Sequence, residues 1–61
     1  MKRLKIGMKA ITVVDLESMA NFVPAGTIVT IENIGCRGYD VVTEDGTRIL
    51  ETGFCKIKPI D

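Results

Sequence analysis

The sequence predicts an all-β domain, a small five-stranded barrel with a one-turn 3₁₀ helix before its last strand. Three observations favour this fold. Short runs of β-branched residues alternate with polar residues, turn residues such as glycine separate the runs, and no long stretch keeps a helical period. A closed barrel hides strand edges that would otherwise promote aggregation, so it is the economical arrangement of five short strands.

Length and charge indicate one domain with a basic end. A chain of 61 residues buries only about 60% of its unfolded surface, so it forms one domain and any function lies on its surface. Four of the eight basic residues lie in the first nine positions, whereas residues 10–61 carry all eight acidic residues. We therefore predict a basic N-terminal arm over residues 1–6 and a single barrel domain over residues 7–61.

Composition argues against several classes of protein. No apolar run approaches the roughly 18 residues of a membrane span, and none follows the basic start as in a secretory signal, so we predict a cytoplasmic protein. The chain has no histidine and one serine, so we predict no catalysis, no metal and no cofactor. Cys36 and Cys55 are predicted to be reduced, with Cys55 a small core residue.

The first part of the chain predicts one strand and then a long loop. Residues 9–14 alternate, with Ile11 and Val13 on one face and Ala10, Thr12 and Val14 on the other. Residues 15–26 carry a weak helical pattern that runs into Pro24, and proline disfavours helical backbone in the residue before it. We predict a partly ordered loop there, with room for one helical turn after Asp15.

The Pro-Ala-Gly sequence at residues 24–26 predicts a tight turn that leads into the second strand. Gly26 supplies the positive φ that such turns commonly need. In the strand that follows, residues 27–34, Val29 and Ile31 form the natural inward pair, opposite Thr30 and Glu32.

The second half predicts a hairpin and a final strand. Asp45-Gly46 predicts a type I′ turn between antiparallel strands at residues 39–44 and 47–52. Tyr39 and Val41 share one face, while Ile49 and Leu50 compete for the inward position on the return strand. Phe54 and Ile57 are predicted to be buried anchors about one helical turn apart, before a short last strand near Pro59.

This order of elements resembles an SH3-like barrel over residues 7–61. VPAGTIVTIENI stands at the place of the diverging turn and second strand, GYDVVTEDGTRI at the distal hairpin, and TGFCKIKPID at the 3₁₀ turn and last strand. The class includes SH3 domains, KOW and Tudor-type readers, a photosystem accessory subunit and many small bacterial and phage proteins. The chain departs from SH3 domains in having no tryptophan, so a polyproline groove is not predicted.

The resemblance and the composition favour a non-enzymatic module that binds another protein. The candidate contacts are the apolar residues of the loop and the single tyrosine: Met19, Phe22, Val23 and Tyr39. In the competing interpretation, Phe22 and Leu16 plug the open end of the barrel and leave no exposed patch.

Two other functions stay open at this stage. A KOW-like barrel would bind nucleic acid through basic residues in the arm and in the GCRG turn, namely Lys2, Arg3, Lys5, Lys9 and Arg37. A structural subunit of a larger assembly would have no activity in isolation. Salt separates the first two, because phosphate binding weakens steeply with salt and apolar binding does not. The oligomeric state is left open.

Overall fold

Seven strands make up the fold in a computed structural model that describes residues 4–18 and 20–60. They are β1 (Lys9–Thr12), β2 (Leu16–Ser18), β3 (Asn21–Val23), β4 (Ile28–Ile34), β5 (Tyr39–Thr43), β6 (Arg48–Thr52) and β7 (Ile57–Pro59). Five of them form one antiparallel sheet in the order β6-β5-β4-β1-β7, and β2 and β3 form a separate hairpin. The all-β class is therefore confirmed. The described part of the chain contains no helix long and apolar enough to span a membrane.

The core lies on one face of the five-stranded sheet and beneath the β2–β3 hairpin. Its members are Ala10, Leu16, Val23, Val29, Ile31, Val41, Ile49 and Ile57. The predicted inward pair Val29 and Ile31 is confirmed, since both side chains are buried. Ile49 takes the inward position on β6 and leaves Leu50 outside, 55% exposed.

The prediction of a loop with a helical turn over residues 15–26 is wrong, because part of this segment forms the β2–β3 hairpin. Leu16 pairs with Val23 across the two strands, and both are buried. At the far end of the hairpin the Asn21 side-chain amide donates to the Arg48 carbonyl of β6 at 3.1 Å. The bond from Asn21 to Arg48 joins residues 27 apart in sequence, and such tertiary contacts override a weak local helical pattern.

Thr12 fixes the Pro-Ala-Gly turn between the hairpin and β4. Its hydroxyl donates to the Pro24 carbonyl at 2.9 Å and accepts from the Thr27 amide at 3.0 Å. The Gly26 amide donates to the Thr12 carbonyl at 2.8 Å, and Gly26 has a φ of 87°. The predicted positive φ is confirmed, and the turn holds the start of β4 against β1.

The β5–β6 hairpin is confirmed, but its predicted type I′ turn is wrong. Among the described residues of this turn only Gly46 has a positive φ, 95°, and a type I′ turn needs two such residues. The Gly46 amide donates to the Thr43 carbonyl at 3.1 Å, and the Thr43 amide donates to the Thr47 carbonyl at 2.8 Å. This is the pattern of a type I turn followed by a left-handed glycine. The Asp45 carboxylate accepts bonds from the Thr43 hydroxyl and the Thr47 amide, which holds Asp45 in place.

We expect the hydrogen bonds of Asp45 to make the stability of the hairpin depend on pH. The hydrogen bond from the Thr43 hydroxyl, and next that from the Thr47 amide, lower the pKa of Asp45 below its ordinary value. Ionised Asp45 therefore favours the folded chain above about pH 4, and this contribution is lost as the pH falls through the lowered pKa. Urea midpoints of the wild type and Asp45→Asn should differ near neutral pH and converge in acid. A difference that does not shrink in acid would contradict this role.

The predicted 3₁₀ helix before the last strand is wrong. Residues 53–56 form a single turn, closed by the Lys56 amide donating to the Gly53 carbonyl at 3.0 Å. The turn directs Phe54 and Cys55 outward: Phe54 is 50% exposed and Cys55 is exposed. The prediction that these two residues belong to the core is therefore wrong. Ile57, the other predicted anchor, is buried.

The buried Thr52 side chain predicts a stabilising substitution. Thr52 is 3% exposed, and its hydroxyl has no hydrogen-bond partner among residues 4–18 and 20–60. Thr52→Val keeps the shape and removes an unpaired polar group, so we expect the free energy of unfolding to rise by about 1 kcal/mol. Thr12→Val is the matched control, since Thr12 is equally buried but hydrogen-bonded, and it should lose stability. Chemical denaturation measures both, and a loss with Thr52→Val would contradict the expectation.

Candidate binding cleft

A cleft of about 600 Å³ opens between the end of β2, the β4–β5 turn and β6. Its walls come from three separate parts of the chain: Ser18, Gly35, Cys36, Arg37, Gly38, Asp40, Leu50 and Glu51. A volume of this order is within the usual range of ligand sites.

One wall of the cleft is the turn that joins β4 to β5. The Gly35 amide donates to the Gly38 carbonyl at 2.8 Å and closes the turn. Gly38 has a φ of 150°, and a Cβ at this position would lie 1.9 Å from the Thr52 carbonyl oxygen. Only glycine fits this position, and its close approach holds the turn against β6.

Irregular pairing on both sides of Asp40 shapes the floor of the cleft. The β4–β5 register shifts between Ile31 and Asn33, and the β5–β6 register shifts opposite Asp40, where Leu50 and Glu51 face one residue. Glu51 has a φ of 56°, and its amide donates to the Asp40 carboxylate at 3.1 Å. Bulges bend and twist a strand locally, which here brings Leu50 and Glu51 to the cleft.

The cleft holds two carboxylates and one guanidinium. A nitrogen of Arg37 lies 3.8 Å from a carboxylate oxygen of Glu51, and the two side chains are 78% and 62% exposed. Such an exposed pair is screened by water and gives little stability, so both groups are free to exchange partners. On the outer face of the sheet, the Arg48 Nε donates a hydrogen bond to the Glu32 Oε1 at 2.5 Å. This hydrogen bond raises the pKa of Arg48.

Leu50 gives the cleft its apolar contact. Its side chain is 55% exposed although it lies next to buried Ile49 in the same strand. The exposure of one residue of the Ile49-Leu50 pair could be predicted from the sequence, since two adjacent apolar residues in a strand cannot both face the core. Ser18, Asp40 and Glu51 were not predicted, because their position depends on bulges and on contacts between distant segments.

The predicted protein-binding residues do not form one surface. Leu16 is buried, whereas Phe22 is 54% exposed on β3 and therefore does not plug the core. Val23 is 1% exposed, and the expectation that it offers an exposed contact is wrong, because it packs in the core. Tyr39 is half-buried and meets Phe54 edge to face at 5.1 Å between ring centroids. Met19 lies outside the described residues.

The predicted basic residues are also dispersed. Arg37 is in the cleft, whereas Lys9 is exposed on β1, paired with Thr30 of β4, and Lys5 is exposed in the turn before β1. Lys2 and Arg3 lie outside the described residues. Within the described ranges no group of three or more histidine, cysteine, aspartate or glutamate side chains could hold a metal ion.

Comparison of the chain with protein-family models, curated protein sequences and solved structures finds no match in any of the three.

Proposed function

We propose that this protein is a non-enzymatic cytoplasmic binding module that holds a segment of a protein partner in the cleft, on an SH3-like barrel. The observation that carries the proposal is the exposed side chain of Leu50 in a walled cleft with Asp40, Glu51 and Arg37. An apolar contact beside a few polar groups that fix orientation is the usual composition of a binding site. The absence of histidine from the sequence supports a role without catalysis.

The strand order supports the barrel part of the proposal. In the sheet β6-β5-β4-β1-β7 the last strand returns beside the first, and the β2–β3 hairpin connects β1 to β4. The hairpin meets the outer edge of β6 through the bond from Asn21 to Arg48. Covering an exposed edge in this way is what a closed arrangement requires.

The size of the cleft favours an extended segment or a loop tip of the partner. About 600 Å³ takes a few side chains but not the surface of a globular domain. An apolar side chain of the partner would lie on Leu50, while polar groups of its backbone or side chains meet Asp40, Arg37 and Glu51.

Selection from a library of random displayed peptides tests the proposal. We expect a recurring motif with an apolar residue, and we expect Leu50→Asp to weaken binding of the selected peptides at least tenfold, since it places a charge at the apolar contact. Ile6→Asp is the matched control because Ile6 is 63% exposed but does not line the cleft, and it should bind as the wild type does.

Two results would overturn the cleft as the site. One is a selection that yields no motif. The other is a motif whose peptides bind Leu50→Asp as tightly as the wild type, with both proteins folded by circular dichroism.

A further inference from the structure

A second surface lies on β1 and β7, where the structure gathers lysines that are apart in sequence. Ile11 pairs directly with Lys58, so these side chains share the solvent face of the sheet, and Lys9 lies two residues along β1 on that face. The Val13 amide donates to the Lys56 carbonyl at 2.9 Å, which continues the pairing beyond the strands. We call Lys9, Lys56 and Lys58, all exposed, the lysine face.

Acidic side chains are segregated from the lysine face. In the part of the chain that the structure describes, the acidic residues lie outside β1, β7 and the turns before each of them: Asp15, Glu17, Glu32, Asp40, Glu44, Asp45 and Glu51. Asp15 follows β1 by three residues, and its carboxylate accepts a hydrogen bond from the Ala25 amide at 2.8 Å. On the outer face of β4, Glu32 follows Thr30, the partner of Lys9, but both its carboxylate oxygens accept bonds from Arg48 on the far side, at 2.5 and 3.2 Å. The positive charge of the lysine face is therefore not cancelled by these neighbours.

We propose that the lysine face binds the phosphate backbone of double-stranded nucleic acid without regard to sequence. Clustered lysines release counterions when they neutralise phosphates, and this supplies most of non-specific binding. Proteins that hold single strands add aromatic side chains on which bases stack. No aromatic residue lies on β1 or β7, and Phe54, in the turn that also carries Lys56, meets Tyr39 edge to face at 5.1 Å between ring centroids. The face therefore suits a duplex, whose bases are already stacked.

This proposal is independent of the cleft, which lies at β6, and it differs from the interpretation that uses Arg37. One protein would then hold a protein segment at one end of the sheet and a duplex at the other. A non-specific affinity of about 10⁻⁴ to 10⁻⁶ M at physiological salt is expected for such a surface.

Fluorescence anisotropy with a short labelled DNA duplex of mixed sequence tests the proposal across a range of salt. The wild type should bind at low salt, with log K falling linearly as log salt rises. Each of Lys9→Gln, Lys56→Gln and Lys58→Gln should weaken binding and reduce that slope by about 1, and the triple variant by about 3.

The controls separate this surface from others. Arg37→Gln removes the same charge from the cleft and should leave duplex binding unchanged, as should Leu50→Asp. Absence of duplex binding at low salt, or equal losses with Arg37→Gln, would overturn the proposal. So would tighter binding of the matching single strand, or binding to vesicles containing phosphatidylserine with none to the duplex.

Discussion

Gly38→Ala is expected to destabilise the domain by about 3 kcal/mol or more, the largest effect expected of any glycine-to-alanine substitution in this chain. The added Cβ would lie 1.9 Å from the Thr52 carbonyl oxygen, which is backbone and cannot rotate away. The φ of 150° at Gly38 is also one that side chains rarely adopt. The β4–β5 turn would have to leave β6, and one wall of the cleft would move with it.

Gly35→Ala is the matched control at the other end of the same turn. A Cβ there meets only the Gly38 carbonyl oxygen at 3.7 Å, an ordinary contact, so the free energy of unfolding should change by less than about 0.5 kcal/mol. Urea denaturation of the two variants measures the difference. Equal stability of the two variants would show that the turn does not pack against β6 as described.

Ile31→Ala is expected to cost about 2 to 5 kcal/mol, as core truncations do. Ile31 is 1% exposed in the middle of the sheet, paired with Val41, and its amide donates to the Met8 carbonyl at 2.9 Å. A domain of this length has a total stability of roughly 3 to 9 kcal/mol, so the variant is expected to be partly or wholly unfolded near physiological temperature.

Ile34→Ala, on the same strand, is the control. Ile34 is 41% exposed, so its truncation removes less buried surface and should cost less than about 1 kcal/mol. Thermal melts followed by circular dichroism compare the two variants. A melting temperature of Ile31→Ala equal to that of the wild type would mean that the inward face of β4 is wrong.

The parts of the fold that local patterns determine were predictable. The alternation of apolar and polar residues correctly predicted that Val29 and Ile31 face inward, and Asp45-Gly46 correctly predicted the β5–β6 hairpin. Both signals depend only on residues that are adjacent in sequence. The type of that turn was predicted wrongly, because Asp45 does not have the positive φ that a type I′ turn requires, and its carboxylate instead accepts hydrogen bonds from Thr43 and Thr47.

The missed features depend on contacts between distant residues. The β2–β3 hairpin forms because Leu16 and Val23 reach the core together, and Asn21 then bonds to β6. Phe54 was expected in the core, but it is half exposed and meets Tyr39 edge to face at the surface. The contact of the hairpin with β6 and the contact of Phe54 with Tyr39 both join residues far apart in sequence, so local patterns do not predict them.

The candidate site was predicted less well than the fold. The sequence pointed to the apolar loop around Phe22 and Val23, whereas the cleft uses Leu50 and Glu51 on the opposite hairpin. Leu50 could have been identified as the exposed member of the Ile49-Leu50 pair. Glu51 could not have been identified, because its position follows from a bulge and a positive φ that the residue types there do not predict.

The most direct test of the cleft as the binding site is amide chemical-shift mapping. The ¹⁵N-labelled protein is titrated with the tightest peptide from the displayed library. We expect shifts at Gly35, Gly38, Leu50 and Glu51, with β1 and β7 unchanged. Shifts confined to β1 and β7, or none at the β4–β5 turn and β6, would mean that the peptide does not bind in the cleft.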